Sequence, residues 1–242
     1  IEVGTGIVND GFQPDGRESS EILASAEQQV FAIAEAGARG RSDFVPVNTA
    51  MREAFDVLQT RYANGGGITG MPTGYTEFDE MTAGLQPTDL LILAARPAMG
   101  KTTLALNIAE YAAIKTKKAV AVFSMEMSAS QLALRLISSN GRVNATRLRT
   151  GQLEDEDWSR VTSAIRLIKD ARIFIDDTPA LSPDVLRAKA RRLKREHDLG
   201  LIVIDYLQLM QVPGNSENRA TEISEISRSL KGLAKELNLP VI

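Results

Sequence analysis

From Leu90 onward, apolar residues fall into short runs separated by longer stretches in which they recur every three or four positions. The runs Leu90–Ala95, Val120–Ser124, Ile173–Asp176, Leu201–Asp205 and Pro240–Ile242 predict strands. The stretches Thr102–Ala113, Ser128–Ser138, Asp155–Lys169, Asp184–His197 and Thr221–Leu237 predict amphipathic helices. The third of these is expected to bury Trp158, Val161, Ile165 and Ile168, and the last Ile223, Ile226, Leu230, Leu233 and Leu237. Strands that are apolar on both faces and alternate with helices imply a mostly parallel sheet covered on both sides. The expected fold class is α/β.

Residues 1–66 read differently. Ile22, Leu23, Ala26, Val30, Ala34 and Gly37 share one face of a helix expected over about 20–38. Glu21 and Glu27 lie towards its start and Arg39 and Arg41 just past its end, as the helix dipole prefers. A second helix, about 48–62, would carry the stripe Met51, Ala54, Phe55, Leu58 and Tyr62. Asn64-Gly65-Gly66-Gly67 is the expected linker to a main domain over 67–242. Two amphipathic helices cannot enclose a core, so their stripes need another surface, from this chain or from a neighbouring subunit.

Composition narrows the chemistry. The chain has 242 residues, with 43% hydrophobic and 24% charged, an ordinary soluble globular balance. A net charge of −3 announces no global field for nucleic acid, so any such site must be local. No cysteine is present, which removes disulfides and thiolate metal sites and fits a reducing intracellular compartment. His197 is the single histidine and has no partners for imidazole-based catalysis. No apolar run approaches the length of a membrane span, and no signal peptide opens the chain. Beginning at Ile1 and stopping at Pro240-Val241-Ile242, the sequence reads as part of something longer.

Against this frame the stretch ARPAMGKTT, Ala95 to Thr103, joins a strand to a helix. The phosphate-loop pattern G-x-x-x-x-G-K-[ST] finds alanine at 95 but matches at Gly100, Lys101 and Thr102. Backbone N–H groups and a helix N-terminus would face an anion there. Lys101 would reach the β- and γ-phosphates and the Thr102 hydroxyl would ligate Mg²⁺. Pro97 restricts the loop backbone and lessens the need for the first glycine. Phosphoryl transfer also needs a carboxylate near the metal. Asp205 closes the run Leu201-Ile202-Val203-Ile204 at the strand edge where α/β proteins bind ligands. Asp176, closing Ile173-Phe174-Ile175, competes for the same role.

Glu126 in FSMEM follows another strand at this edge, either to activate water or simply to start a helix near Ser128. Arg135, nine residues on, is either a phosphate contact or a partner for a carboxylate. Two positive features raise nucleic acid as a ligand. RAKARRLKR, Arg187 to Arg195, spreads its charges around a helix and reads mainly as a solvated face. The loop Gln211–Ala220 carries Arg219 as its only cation, and is either a mobile DNA contact or a surface connection. Neither region has interleaved aromatics for base stacking.

Thr69-Gly70-Met71-Pro72-Thr73-Gly74-Tyr75, Ala83-Gly84-Leu85, AARPAMGKTT, FSMEM, LRTGQL, VIDYLQLM and EISRSLKGLAKEL together resemble the bacterial replicative DNA helicases of the DnaB family, almost continuously over 69–242. An alanine-first phosphate loop is that family's own form. The segment from Gly11 to Glu35 also resembles the family's linker helix, which docks on the adjacent subunit of a ring hexamer.

The resemblance implies a cytoplasmic RecA-like motor that hydrolyses ATP with Mg²⁺, moves 5′ to 3′ on single-stranded DNA and separates the duplex. Primase and a helicase loader would be its partners. It further implies that Ala98, Met99, Gly100, Lys101, Thr102 and Thr103 line the nucleotide, with Arg135 beside them. Glu126 would be the catalytic glutamate and Asp205 the metal-linked aspartate. The family's sensor strand, main DNA-binding loop, trans-acting Lys/Arg finger and amino-terminal helical domain match nothing in these residues. A chain ending at Ile242 would be expected to bind nucleotide without unwinding DNA. The competing expectations are another RecA-like ATPase and a non-enzymatic interaction fragment.

Overall fold

Three strands, β1 (Ala119–Ser124), β2 (Ile173–Asp176) and β3 (Leu199–Asp205), form a parallel sheet in the order β2-β1-β3. The computed structural model describes residues 2–12, 19, 21–29, 45–63, 67–96, 98–211 and 219–242. The chain divides into two compact units, Ile1–Asn64 and Gly65–Ile242.

In the second unit, β1 is buried at every position because helices cover both faces of the sheet. Its alternate residues sort into two cores. Ala121 and Phe123, with Leu199 and Ile202 of β3, pack on α9 (Pro183–Glu196) and α10 (Arg219–Leu237) through Leu186, Ala190, Ile226 and Leu230. Val120 and Val122, with Leu201 and Val203, pack on α5 (Lys101–Thr116) and α6 (Ala129–Gly141) through Ala109, Ala112, Leu132 and Leu136. The period of two along β1, shared by β3 once past an irregularity at its start, thus builds two opposite layers. Shorter helices α4 (Thr76–Thr82) and α7 (Ala145–Thr150) and the longer α8 (Asp155–Lys169) complete the unit, with a 3₁₀ turn at Leu207–Leu209.

Two predicted strands are not ladder strands. Val241 bridges Ile202 on one side and Leu90 on the other, both parallel, and residues 91–96 carry no further ladder. Ile92 is exposed. Backbone bonds tie residues 240–242 to Ile202 and Ile204 of β3 on one side and to Asp89 and Leu91 on the other, so both predicted segments pair in parallel over a few residues only. A second correction concerns α8. Val161 is buried as expected and Ile168 is half-buried, but Trp158 and Ile165 are exposed, 57% and 47%. Shared helical spacing puts residues on one face without supplying anything to cover its outer border. In α10, Ile226, Leu230 and Leu233 are buried, while Ile223 and Leu237 are half-buried.

The motif residues 69–75 have an internal structural job. The buried Asp79 carboxylate accepts from the Thr73 amide and hydroxyl and from the Gly74 amide, at 2.8–3.1 Å. Gly74 has φ +87°, and a Cβ there would come within 2.7 Å of the Tyr111 ring on α5. This clamp ties the unit's first turn to the helix that follows the phosphate loop.

The first unit contains α1 (Glu2–Phe12), a helix α2 over residues 21–29, and α3 (Val47–Ala63). The sequence pattern misses α1 because Gly4, Gly6 and Gly11 lower its helix propensity. Of the stripe expected over 20–38, Ile22 and Ala26 are half-buried and Leu23 is exposed; Val30, Ala34 and Gly37 lie outside the described residues. Met51, Phe55, Leu58 and Tyr62 of α3 are exposed. Residues 64–66 of the expected linker also lie outside the described residues. Among the described residues no helix is long and apolar enough to cross a membrane.

Candidate nucleotide-binding and catalytic site

The loop before α5 turns in two left-handed steps. Ala98 has φ +63° and Gly100, the N-cap of α5, has φ +87°. Glycine takes such a φ freely, whereas at Ala98 it costs about 1–2 kcal/mol. No neighbouring atom lies within 4 Å of a Cβ placed on Gly100, so backbone conformation is what the protein itself requires there. Pro97 lies outside the described residues. Gly100 offers no side chain to cap α5, and the first turn of α5 holds no acidic residue. The leading amides therefore face outward with the positive end of the helix, as an anion site requires. Met99 is exposed beside them.

β3 delivers Asp205 to this helix start. The Thr102 hydroxyl donates to Asp205 Oδ2 at 2.6 Å, and Lys101 Nζ lies 3.3 Å from Oδ1. Asp205 is only 5% exposed, so it depends on such partners. The same ammonium sits 3.8 Å from the centroid of the Tyr206 ring. The spacing of the sequence does not single out Tyr206; its aromatic ring directly after the strand-end aspartate was the available signal.

Asp176 is held elsewhere. In register it faces Phe123, one position before the Ser124–Asp205 pair, on the opposite side of β1. Lys189 of α9 donates to it at 2.6 Å and the Thr178 amide at 3.0 Å. Burial pushes its pKa up, but the Lys189 and Thr178 bonds outweigh it and hold the carboxyl below the ordinary range. Its neighbour Asp177 accepts from the Ala129 amide and so steadies the start of α6.

Glu126 lies two residues beyond β1, where the Met125 amide donates to the Asp205 carbonyl at 2.8 Å. Ser124 Oγ closes this turn by donating to the Met127 carbonyl. Ser128 and Gln131 form the capping box of α6, so Glu126 is an exposed turn residue rather than a cap. From α6, Arg135 Nη1 donates to Thr103 Oγ1 at 3.3 Å. The structure therefore joins Lys101 and Thr102 to Asp205, pairs the adjacent Thr103 with Arg135, and sets Glu126 on the turn after β1.

The positive features are largely engaged. Arg219 pairs with Glu222 and donates to the Gln208 carbonyl. Residues 212–218 of its loop lie outside the described residues. On α9, Arg187 and Arg191 pair with Glu236 of α10, Lys189 with Asp176 and Arg192 with Glu196. The Lys194 ammonium donates to the Leu199 carbonyl. Most of RAKARRLKR thus fastens α9 to its own unit.

Known proteins resemble this chain in sequence and in fold. The DnaB-like helicase C terminal domain matches residues 70–242. The replicative DNA helicase DnaC of Bacillus subtilis (strain 168) is 46% identical over all of this chain, and the replicative DNA helicase DnaB of Geobacillus stearothermophilus 47%; the chain covers 53% of each. It spans about half the length of these curated relatives. Among solved structures, the ATPase domain of G40P superposes with TM-score 0.77 at 33% identity, covering 83% of this chain and 70% of that one. A DnaB-like replicative helicase, described with its interactions with primase, gives TM-score 0.73 at 30% identity, over 100% of this chain and 56% of that one. The fold is RecA-like, and this chain belongs to the family of DnaB-like replicative helicases.

Proposed function

We propose that the chain is the motor portion of a replicative DNA helicase, binding ATP with Mg²⁺ and hydrolysing it to drive 5′-to-3′ movement on single-stranded DNA and duplex separation. The observation that carries this reading is the meeting of Thr102 and Asp205 at 2.6 Å beside Lys101. A hydroxyl and one carboxylate suit Mg²⁺, which completes its octahedron with water and phosphate oxygens rather than a protein cage. When bound, the ion would neutralise phosphate charge. Thr102 and Asp205 would hold it, Lys101 would bind phosphate oxygens, and the leading amides of α5 would orient the chain of phosphates. Arg135 would add charge from α6, and Glu126 would take a proton from the attacking water. Ala98, Met99, Gly100 and Thr103 would line the nucleotide, and Arg219 would contact DNA once released from Glu222.

The relatives are named replicative DNA helicases, which supports a role for this motor at the replication fork. By likeness to them we assign it a cytoplasmic setting, a homohexamer joined through the helix around 20–38, and primase and a loader as partners. The decisive variant is Lys101→Ala in the intact protein. ATP hydrolysis and strand separation are both expected to vanish while the fold persists by circular dichroism. Hydrolysis that survives this change overturns the assignment.

A further inference from the structure

The function above does not use Tyr206. This residue follows Asp205 directly, its ring half-buried at the sheet edge, and Lys101 Nζ rests 3.8 Å from its centroid. An ammonium has three N–H donors. One of them reaches Asp205 Oδ1 at 3.3 Å, and the ring face receives the cation from a second direction. A third direction stays open. The Lys101 side chain is 26% exposed, so the ring shields part of the charge from water, where a cation–π contact strengthens. Lysine is also long and flexible, and a lone carboxylate would leave its position loosely defined.

We propose that Tyr206 is a positioning residue for Lys101, a ring platform that keeps the ammonium at the mouth of the phosphate loop whichever partner Asp205 takes. This inference rests on the nucleotide-binding reading above. When Asp205 turns to a metal ion, its contact to Lys101 weakens through competition. The ring has no charge to surrender, and it continues to hold the ammonium where a phosphate can meet it. Tyr206 thereby lowers the ordering entropy that binding would otherwise demand of Lys101. The hydroxyl has no part in this, so phenylalanine is expected to serve as well as tyrosine.

The test compares Tyr206→Phe and Tyr206→Leu, each alone and combined with Lys101→Met, in the chain carrying residues 1–242. Affinity for a fluorescent ATP analogue with Mg²⁺ is measured by titration. Tyr206→Leu should weaken binding about 2- to 30-fold, the span of a cation–π contact between exposed and desolvated settings. Tyr206→Phe should match the wild type. In the Lys101→Met background, Tyr206→Leu should have no further effect. An equal loss in both backgrounds would reveal a merely structural ring and overturn the proposal, as would no loss with Tyr206→Leu.

A nucleotide-free measurement stands beside it. In proton NMR the Lys101 methylene next to Nζ should be shifted upfield by the ring in the wild type and in Tyr206→Phe, and not in Tyr206→Leu. The wild-type spectrum alone decides the contact if Tyr206→Leu fails to fold; an unshifted signal there overturns the proposal. A wild-type chain that shows the upfield signal but binds no nucleotide would sink the nucleotide reading and leave the Lys101–Tyr206 contact standing.

Discussion

The ends of β2 and β3 look alike as sequence and differ in their chemistry. Each is an apolar run closed by aspartate, each lies parallel to β1, and the two aspartates reach the same sheet edge. Asp205 meets the start of α5, where it finds a hydroxyl and an ammonium on the phosphate loop. Asp176 meets Lys189 on α9, a helix that packs on the other face of the sheet. A strand-end carboxylate therefore takes its role from the helix that its place in the sheet puts beside it. Strand order, which is nonlocal, makes that choice.

The largest expected effect breaks the comparison outright. Asp205→Asn should lower steady-state ATP hydrolysis by the intact protein on the order of 10²–10³, the loss typical of one preorganised charge at a reacting phosphate. Asp176→Asn should leave the rate essentially at wild type in the same assay. Equal losses from both changes would mean that the two carboxylates share the metal-linked role.

A smaller effect should appear in stability. Asp176→Asn removes the carboxylate from Lys189 and should cost about 0.5–1 kcal/mol at neutral pH, as expected for a partly exposed pair. Because the folded-state pKa of Asp176 is depressed, its stabilisation is present above the ordinary value of 3.8 and is lost as pH falls through the lower folded value. Urea unfolding from pH 7 down to pH 2 should show the two proteins converging at the acidic end. A gap that persisted at pH 2 would locate the cost in packing instead of charge.

The smallest effect sharpens the comparison with a third carboxyl, Glu110 of α5. Burial pushes its pKa up, only partly offset by a hydrogen bond with Asn140. Its Oε2 has no partner among the described residues, and no cation plays the part of Lys101 or Lys189. With the folded pKa raised, ionisation costs stability as pH climbs above the ordinary 4.5. Glu110→Gln should stabilise the fold slightly at pH 7, by less than about 1 kcal/mol after solvent screening and read as a higher melting temperature, with the gain fading towards pH 4. A lower melting temperature at pH 7 would show that the carboxylate has a partner the structure does not record.

Several parts of this molecule were legible without coordinates. The helix expected over Asp155–Lys169 matches α8 to the residue, and its capping box, acidic first turn and basic last turn are local signals. Gly100, Lys101 and Thr102 could be picked out because loop and helix start are contiguous in sequence. The partner of the segment Leu90–Ala95 was not legible, because it comes from the far end of the chain. Trp158 was misjudged for a related reason, since periodicity defines a face and says nothing of its cover. The charged helix Arg187–Arg195 reads as a solvated face, and its bonds to Glu236 and Asp176 were not predictable from spacing.

The sequence by itself determined the α/β class, the phosphate-loop junction and the family, because each rests on periodicity or on residues close together along the chain. Tertiary structure put Asp205 beside Thr102 and Lys101 and Asp176 beside Lys189, set Arg135 against Thr103, and laid Lys101 over the Tyr206 ring. Apart from the Asp176–Lys189 pair, those contacts join residues 32 to 105 positions apart. Nothing in local propensity brings such residues together. The parallel sheet does, by burying β1 between its neighbours and so delivering both strand ends and both helix starts to one edge.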